Sequence, residues 1–157
     1  MRVMAEVNEF NKVAGNKLYG AAFRQALKNG KLTVSRCLKC GALFLPPRPI
    51  CPECHKCDMT ITTVKGQGKL VAFTVITAAP PLMLEEGYGR DNPYCCGIVL
   101  LDEGVKVTAR ILGVDVRQPE KIKIGTPVTL EFQEIVRNGE KKTHLAFRVT
   151  NSPYAVQ

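Results

Sequence analysis

Cys37-Leu38-Lys39-Cys40-Gly41 and Cys51-Pro52-Glu53-Cys54-His55 are two C-x-x-C hooks, with ten residues between Cys40 and Cys51. Each hook is a tight turn that aims two sulfurs at one point. Two hooks together can close a tetrahedral four-sulfur shell around one metal ion. Cys37, Cys40, Cys51 and Cys54 are therefore the expected metal ligands. Gly41 follows the first hook, where a knuckle turn needs left-handed backbone. His55 stands at the equivalent place in the second, and histidine is among the few non-glycine residues enriched in that conformation. It is read as a turn residue rather than a ligand. Cys57 forms a further C-x-x-C with Cys54 and is the rival ligand. Between the hooks, Pro46-Pro47-Arg48-Pro49 is expected to run extended, because proline fixes φ and restricts its predecessor. An extended spacer between two knuckles is what a zinc ribbon requires.

Four thiolates leave no open position for a water or a substrate, so the site reads as structural. Zinc would fold residues 31–64, which alone bury too little apolar surface to be stable. Iron in a rubredoxin-like site is the alternative metal.

The 157 residues suffice for one ordinary domain or two small ones, and 45% hydrophobic with 23% charged content indicates a folded chain. No apolar run approaches the roughly 20 residues that a membrane-spanning helix needs. Met1 to Phe10 has no signal-peptide core. A soluble, cytoplasmic protein is expected, with Cys57, Cys95 and Cys96 as free thiols in a reducing compartment. The formal charge of +8 is uneven: residues 1–68 carry eleven Lys/Arg against four Asp/Glu, and residues 69–157 eleven against ten. A zinc ion with four thiolates would bring the first half from +7 to about +5. This local excess suits solubility or an anionic partner.

Three segments are expected: a helical arm over 1–30, the ribbon over 31–68 and a β domain over 69–157. Residues 1–15 carry weak helical signals. Residues 16–29 are a clearer helix, with Asn16 as N-cap, Leu18, Tyr19, Ala22, Phe23, Ala26 and Leu27 as its apolar face, and Asn29-Gly30 as its stop. Lys17, Arg24, Lys28 and Lys31 form a basic stripe opposite. Leu32 and Val34 suggest a strand entering the first hook. Gly66-Gln67-Gly68 marks a boundary, with no lysine or helix signal that would make it a phosphate loop.

Beyond it the chain reads as strands. Leu70 to Thr77 is β-rich, and Gly97 to Leu101 is apolar on both faces, as a central strand is. Asp102-Glu103-Gly104 joins it as a tight hairpin to Val105, Val107, Ala109 and Ile111, which alternate with Lys106, Thr108 and Arg110. Val128, Leu130 and Phe132 alternate likewise, Asn138-Gly139 is a hairpin turn, and Leu145, Phe147 and Val149 close the set. Five strands with one long connection fit an OB-fold barrel. The fold class is thus mainly β with N-terminal helices: a rubredoxin-like zinc ribbon, then a five-stranded OB-fold. The long connection, Ala78 to Pro93, carries Leu82, Met83 and Leu84 in a loop that should face solvent. It is expected either to pack on a partner or to fold back on its own barrel.

No catalytic set emerges. His55 is in the knuckle and His144 on a polar strand face. Glu85-Glu86 and Asp102-Glu103 are adjacent pairs that point apart. Cys95-Cys96 has no evident histidine or helix start to activate it. Single-stranded nucleic acid is the obvious class-level rival, since ribbons and OB-folds both bind it. It is disfavoured because Phe73, Phe132 and Phe147 share the core-facing parity and the barrel half is nearly neutral.

The joint order of these features resembles the thiolase-associated zinc-ribbon/OB-fold family, a domain-of-unknown-function family of acyl-CoA-associated accessory subunits. The resemblance runs from about Leu18 to Phe147. It includes Leu27-Lys28-Asn29-Gly30-Lys31-Leu32, Cys37-x-x-Cys40-Gly41, and Phe44-x-Pro46-Pro47-Arg48-Pro49-x-Cys51-Pro52-x-Cys54. It continues through Gly66-x-Gly68, Phe73-Thr74-Val75, Pro93-Tyr94, Leu101-Asp102-Glu103-Gly104 and Ile124-Gly125-x-Pro127-Val128. Two departures stand out: His55 replaces the family's usual glycine, and the Leu82 to Asn92 loop is longer than typical.

The resemblance implies a non-catalytic subunit held in a hetero-oligomer by a thiolase or related condensing enzyme, which supplies the catalytic residues. Such subunits scaffold acetoacetyl-CoA thiolase with hydroxymethylglutaryl-CoA synthase in archaea. In bacteria they serve enzymes that degrade sterol side chains or aromatic acyl-CoAs such as benzoylsuccinyl-CoA. The four cysteines carry over as structural zinc ligands. Coenzyme A bears several phosphates, so Lys17, Arg24, Lys28 and Arg48 become candidates for contact with CoA or with the partner. A stand-alone acyl-CoA-binding protein is a further alternative.

Overall fold

A computed structural model of the chain describes residues 18–150. Helix α1, Leu18–Lys28, buries Ala26 and Leu27 and leaves Arg24 and Lys28 exposed. Its end shows how the expected stop works. Gly30 takes φ 70°, the N–H of Lys31 reaches the carbonyl of Ala26 at 2.9 Å, and that of Gly30 reaches Leu27 at 3.0 Å. This pair of bonds is a Schellman closure, which needs a residue tolerant of left-handed backbone at Gly30. Asn16, and any helix within residues 1–15, lie outside the described residues.

The chain divides into two compact units, one holding the ribbon up to Lys65 together with Glu103–Val105 and Glu134–His144, the other holding Gly66–Asp102, Lys106–Gln133 and the chain from Leu145. In the first, β1 (Leu32–Cys37) is the centre of an antiparallel sheet ordered β2-β1-β3, with β2 at Leu43–Phe44 and β3 at Met59–Val64. Leu32, Val34 and Cys37 are fully buried along β1. The third strand was not among the sequence expectations, although Thr60, Ile61, Thr62, Thr63 and Val64 are all β-branched. The spacer corrects another. It bends at residues 45–46 and 49–50 and has a cis Leu45–Pro46 bond, so it is not continuously extended. The N–H of Arg48 donates to the buried Ser35 hydroxyl at 2.9 Å, which ties the spacer to β1.

The remaining strands close into a barrel ordered β4-β5-β6-β8-β7, from β4 (Gln67–Ile76), β5 (Tyr94–Leu101), β6 (Lys106–Leu112), β7 (Pro127–Arg137) and β8 (Glu140–Val149). The β6–β8 pairing is parallel, while β5–β6 and β4–β7 are antiparallel. This is the five-stranded OB-fold expected from the alternation. Asn138 (φ 51°) and Gly139 (φ 77°) form the β7–β8 turn, both left-handed as a two-residue hairpin requires.

A bulge between Leu70 and Ala72 switches which residues of β4 face inward. Leu70 lies opposite Val99 before it and Phe73 opposite Gly97 after it. The core is Leu70, Val99, Leu101, Val128 and Phe147, with Val107, Ala109 and Ile111 from β6. Gly97 has no side chain for a packing reason. A Cβ there would lie 2.6 Å from Leu70 Cδ1 and 2.8 Å from Ile111 Cγ1.

The connection from β4 to β5 takes the second of the two courses expected for it. It contains a short helix, α2 (Pro81–Glu85), and folds back onto its own barrel instead of facing solvent throughout. The fastening is Arg110, which the alternation of β6 placed on the polar face. Its guanidinium bonds Glu86 at 3.1 Å and the Tyr88 hydroxyl at 3.1 Å, and is only 11% exposed. Leu82 and Leu84 stay half exposed on the outside of this strap.

Candidate metal centre

The first hook begins at the end of β1 and the second after the bend at 49–50, and both are closed by the same pair of backbone bonds. The N–H of Gly41 donates to the carbonyl of Cys37 and that of His55 to the carbonyl of Cys51, both at 2.9 Å. The N–H of Cys37 reaches Ala42 and that of Cys51 reaches Lys56, again at 2.9 Å. The two hooks are thus internal copies. Gly41 (φ 77°) and His55 (φ 57°) hold the equivalent left-handed corner, as the sequence reading assigned them. His55 serves as turn backbone.

This geometry brings the four sulfurs of Cys37, Cys40, Cys51 and Cys54 within 4.8 Å of one another. Cys37 to Cys54 and Cys40 to Cys51 are each 3.5 Å. Disulfide sulfurs stand about 2.05 Å apart, so these are free thiols. A tetrahedral shell with metal–sulfur bonds of about 2.3 Å has edges of about 3.8 Å. The donor set and its spacing therefore fit a zinc-sized ion. Cys57 is exposed and stands outside the group.

The electrostatics point the same way. The backbone N–H of Cys40 is the largest influence on Cys37 and, with the N–H of Lys39, holds its thiol down at about 6 against burial. The N–H of Ala42 favours the thiolate of Cys40, but the Cys51 sulfur, burial and the other two sulfurs outweigh it and push Cys40 up to about 12. Cys54 is likewise favoured by the N–H of Lys56, yet burial and the neighbouring sulfurs of Cys37 and Cys51 raise it. The backbone is arranged to receive thiolates, while the sulfurs crowd one another's charge. A divalent cation at their centre resolves that conflict. Buried Cys37 and Cys51 pack with Met59, against Ala42, Phe44 and Cys54. That apolar cluster is very small, and a ribbon of this kind needs the ion as its core.

The remaining candidate residues are not gathered into one site by any described contact. Arg24 and Lys28 lie one turn apart on exposed positions of α1, and Arg48 is exposed on the spacer. Lys17 lies outside the described residues. In the barrel, Cys95 points into the core opposite Ile111, and burial pushes it up to about 11. Cys96 faces the other way, opposite Arg110, and is raised by burial. The polar cluster around Arg110 was missed by sequence reasoning. An arginine between Ala109 and Ile111 gives no local signal that a strap from residues 80–92 covers it. Among the described residues no helix is long and apolar enough to cross a membrane.

Comparison with known proteins follows the same two-part plan. Residues 24–59 match the family described as "ChsH2, rubredoxin-like zinc ribbon domain", and residues 62–133 match "ChsH2, C-terminal OB-fold domain". A DUF35 domain-containing scaffold protein of Methanothermobacter thermautotrophicus is 36% identical over 110 residues, covering 69% of this chain and 77% of that protein. The 3-oxo-4,17-pregnadiene-20-carboxyl-CoA hydratase alpha subunit of Mycobacterium tuberculosis is 29% identical over 112 residues, 71% of this chain but 33% of that longer protein. Among solved structures, one described as an "Ltp2-ChsH2(DUF35) aldolase" aligns with a TM-score of 0.65 at 29% identity, over 82% of this chain and 92% of that one. A DUF35 protein of unknown function from Sulfolobus solfataricus shares the fold, with a TM-score of 0.58 at 19% identity, over 94% and 96% of the two chains.

Proposed function

Since the chain belongs to the DUF35 family of zinc-ribbon and OB-fold proteins, we propose that it is a non-catalytic accessory subunit of a hetero-oligomeric enzyme acting on acyl-CoA. The observation that carries this reading is the pairing of two similarities. One is to a protein named as a scaffold, over more than three quarters of that protein's length. The other is to a DUF35 chain described with an aldolase. The hydratase names of two further relatives add acyl-CoA chemistry to the same class. Cys37, Cys40, Cys51 and Cys54 hold a structural zinc ion that fixes the ribbon's shape. The ion supplies no chemistry to a substrate, because four thiolates leave it no open position.

The partner is a thiolase-type enzyme that brings its own catalytic residues. Its substrate is an aromatic acyl-CoA such as benzoylsuccinyl-CoA, a sterol-derived acyl-CoA, or acetoacetyl-CoA in a thiolase–synthase scaffold. Arg24, Lys28 and Arg48, with Lys17, offer cations to the CoA phosphates or to an acidic face of the partner. The half-exposed Leu82 and Leu84 offer it an apolar contact. Nucleic-acid binding is less well supported. It needs exposed aromatics for base stacking, and among the described residues none of the exposed large hydrophobics is aromatic.

Capture of the tagged chain from native lysate, followed by mass spectrometry, tests the proposal. Recovery of a thiolase-superfamily subunit in near-equal amount is expected. Recovery with nucleic acid or ribosomal proteins instead would overturn it. Charge reversal at Lys17, Arg24, Lys28 and Arg48 together should weaken CoA affinity or complex formation at least about tenfold. If both stay unchanged, the basic residues have no such role.

A further inference from the structure

Between Ile76 and Tyr94 the chain leaves the barrel, makes α2 and returns. Its backbone bonds are largely with itself. Pro80 accepts from Met83 and Leu84, Met83 accepts from Glu86 and Tyr88, and Gly89 and Asn92 bond each other reciprocally at 3.0 and 3.2 Å. The Asn92 side chain adds a bond to the carbonyl of Gly87 at 2.9 Å. At the margins stand Pro80, Pro81 and Pro93, which have no N–H to strand. The segment can therefore lift from the barrel as a unit without breaking a backbone ladder.

Arg110 meets the strap at three of its residues, Met83, Glu86 and Tyr88. Arg110 Nη2 bonds Glu86 at 3.1 Å and meets Met83 Sδ at 3.8 Å, while Nη1 bonds the Tyr88 hydroxyl at 3.1 Å and Gln133 at 3.2 Å. The guanidinium carbon sits 4.7 Å from the Tyr88 ring centre and 5.9 Å from that of Tyr94. The two rings meet edge to face at 5.2 Å. Both charged partners are close to fully buried, at 11% and 8% exposure. A bond from Arg117 to the carbonyl of Asp91, at 3.3 Å, is exposed. Under the strap, Tyr94 and Cys96 lie on the outer face of the barrel, with Cys96 directly opposite Arg110. Burial raises both groups, and each also senses the charge of Arg110.

We propose that residues 80–92 form a lid over the outer face of β5 and β6, latched shut by the buried Arg110–Glu86 pair. A buried ion pair behaves asymmetrically. Removing one partner strands the other charge, whereas replacing both by apolar groups is close to neutral. The latch therefore opens when either partner is lost and recloses when both are. This inference is independent of the partner enzyme, and it makes Arg110 a positioning residue for the outer surface that carries Leu82 and Leu84.

The experiment is pulsed alkylation of the full-length, zinc-loaded chain with N-ethylmaleimide, read residue by residue by peptide mass spectrometry. Cys57 is the exposed reference, Cys95 the barrel-core reference and Cys96 the reporter beneath the lid. In the unaltered chain Cys96 reacts at least about tenfold more slowly than Cys57. Arg110→Met and Glu86→Gln each raise the Cys96 rate about tenfold or more, with Cys95 unchanged. The paired variant Arg110→Met with Glu86→Leu returns it to within about threefold of the starting rate. Three results would overturn the proposal. They are single variants that leave Cys96 unchanged, a rise of Cys95 in step with Cys96, or a paired variant as reactive as the singles. Should Arg110→Met fail to fold, Glu86→Gln alone still decides between the first two.

Discussion

Replacing Cys51 by serine tests the ribbon where its geometry is tightest. The side chain is fully buried, its sulfur lies 3.5 Å from that of Cys40, and its N–H and carbonyl close the second hook. A structural zinc site of this kind has an apparent binding free energy of about 10–16 kcal/mol. Four equivalent thiolates share it, so one ligand is worth roughly 2.5–4 kcal/mol, or about two to three orders of magnitude in affinity. The loss should be confined to the ribbon, because the barrel has its own core around Phe147, Leu70 and Val99. Competition with a chromogenic chelator at neutral pH measures the affinity, and amide exchange locates the damage. The expected result is zinc release at about 100- to 1,000-fold lower chelator concentration. Protection should be lost over β1–β3 and kept in β4, β5, β6 and the barrel-unit parts of β7 and β8, Pro127–Gln133 and Leu145–Val149. Affinity within threefold of the unaltered chain would refute the four-thiolate shell. Equal loss of protection in the barrel would refute its independence.

Other substitutions probe single features. His55→Gly should keep the full metal content and raise stability by about 1 kcal/mol or less, since it relieves a left-handed non-glycine residue; loss of zinc would make His55 a ligand after all. Gly97→Ala places a methyl group 2.6 Å from Leu70 Cδ1 and should cost about 1–3 kcal/mol, seen as a lower thermal midpoint of the barrel. Arg148 donates to Glu131 at 2.6 and 3.0 Å, and that hydrogen bond holds the Glu131 carboxyl below its ordinary range. A depressed carboxylate adds stability above its unfolded pKa and loses it as pH falls through the folded value. Glu131→Gln should thus lower stability near pH 7 by no more than about 1 kcal/mol, because the pair is over a third exposed. The difference should vanish in acid, as urea midpoints at the two pH values would show.

The metal centre was legible in the sequence because hook spacing is a local property. Gly41 and His55 could be assigned as corner residues from conformational preference alone. The barrel was legible for a related reason: the alternation on β6 and the Asn138-Gly139 turn are short-range patterns. What escaped depends on contacts distant in sequence. The bulge in β4 appears only once β5 lies beside it. The tie of the proline spacer to Ser35 on β1 spans thirteen residues. Arg110 carried the same solvent-face signature as Lys106 and Thr108, yet it is covered by a strap that begins thirty residues earlier in the chain. Buried ionic fastenings of this sort leave no periodic trace, because each partner looks like a surface residue in its own segment.

Reconstitution tests the proposed role most directly. Turnover of the acyl-CoA substrate should be measured for this chain alone, for the co-purifying enzyme alone, and for the two together. The chain alone should give no turnover, the enzyme alone little, and the mixture full activity at a fixed stoichiometry, with zinc bound to each accessory subunit. Turnover by the isolated chain, or full activity of the enzyme without it, would contradict a non-catalytic accessory subunit.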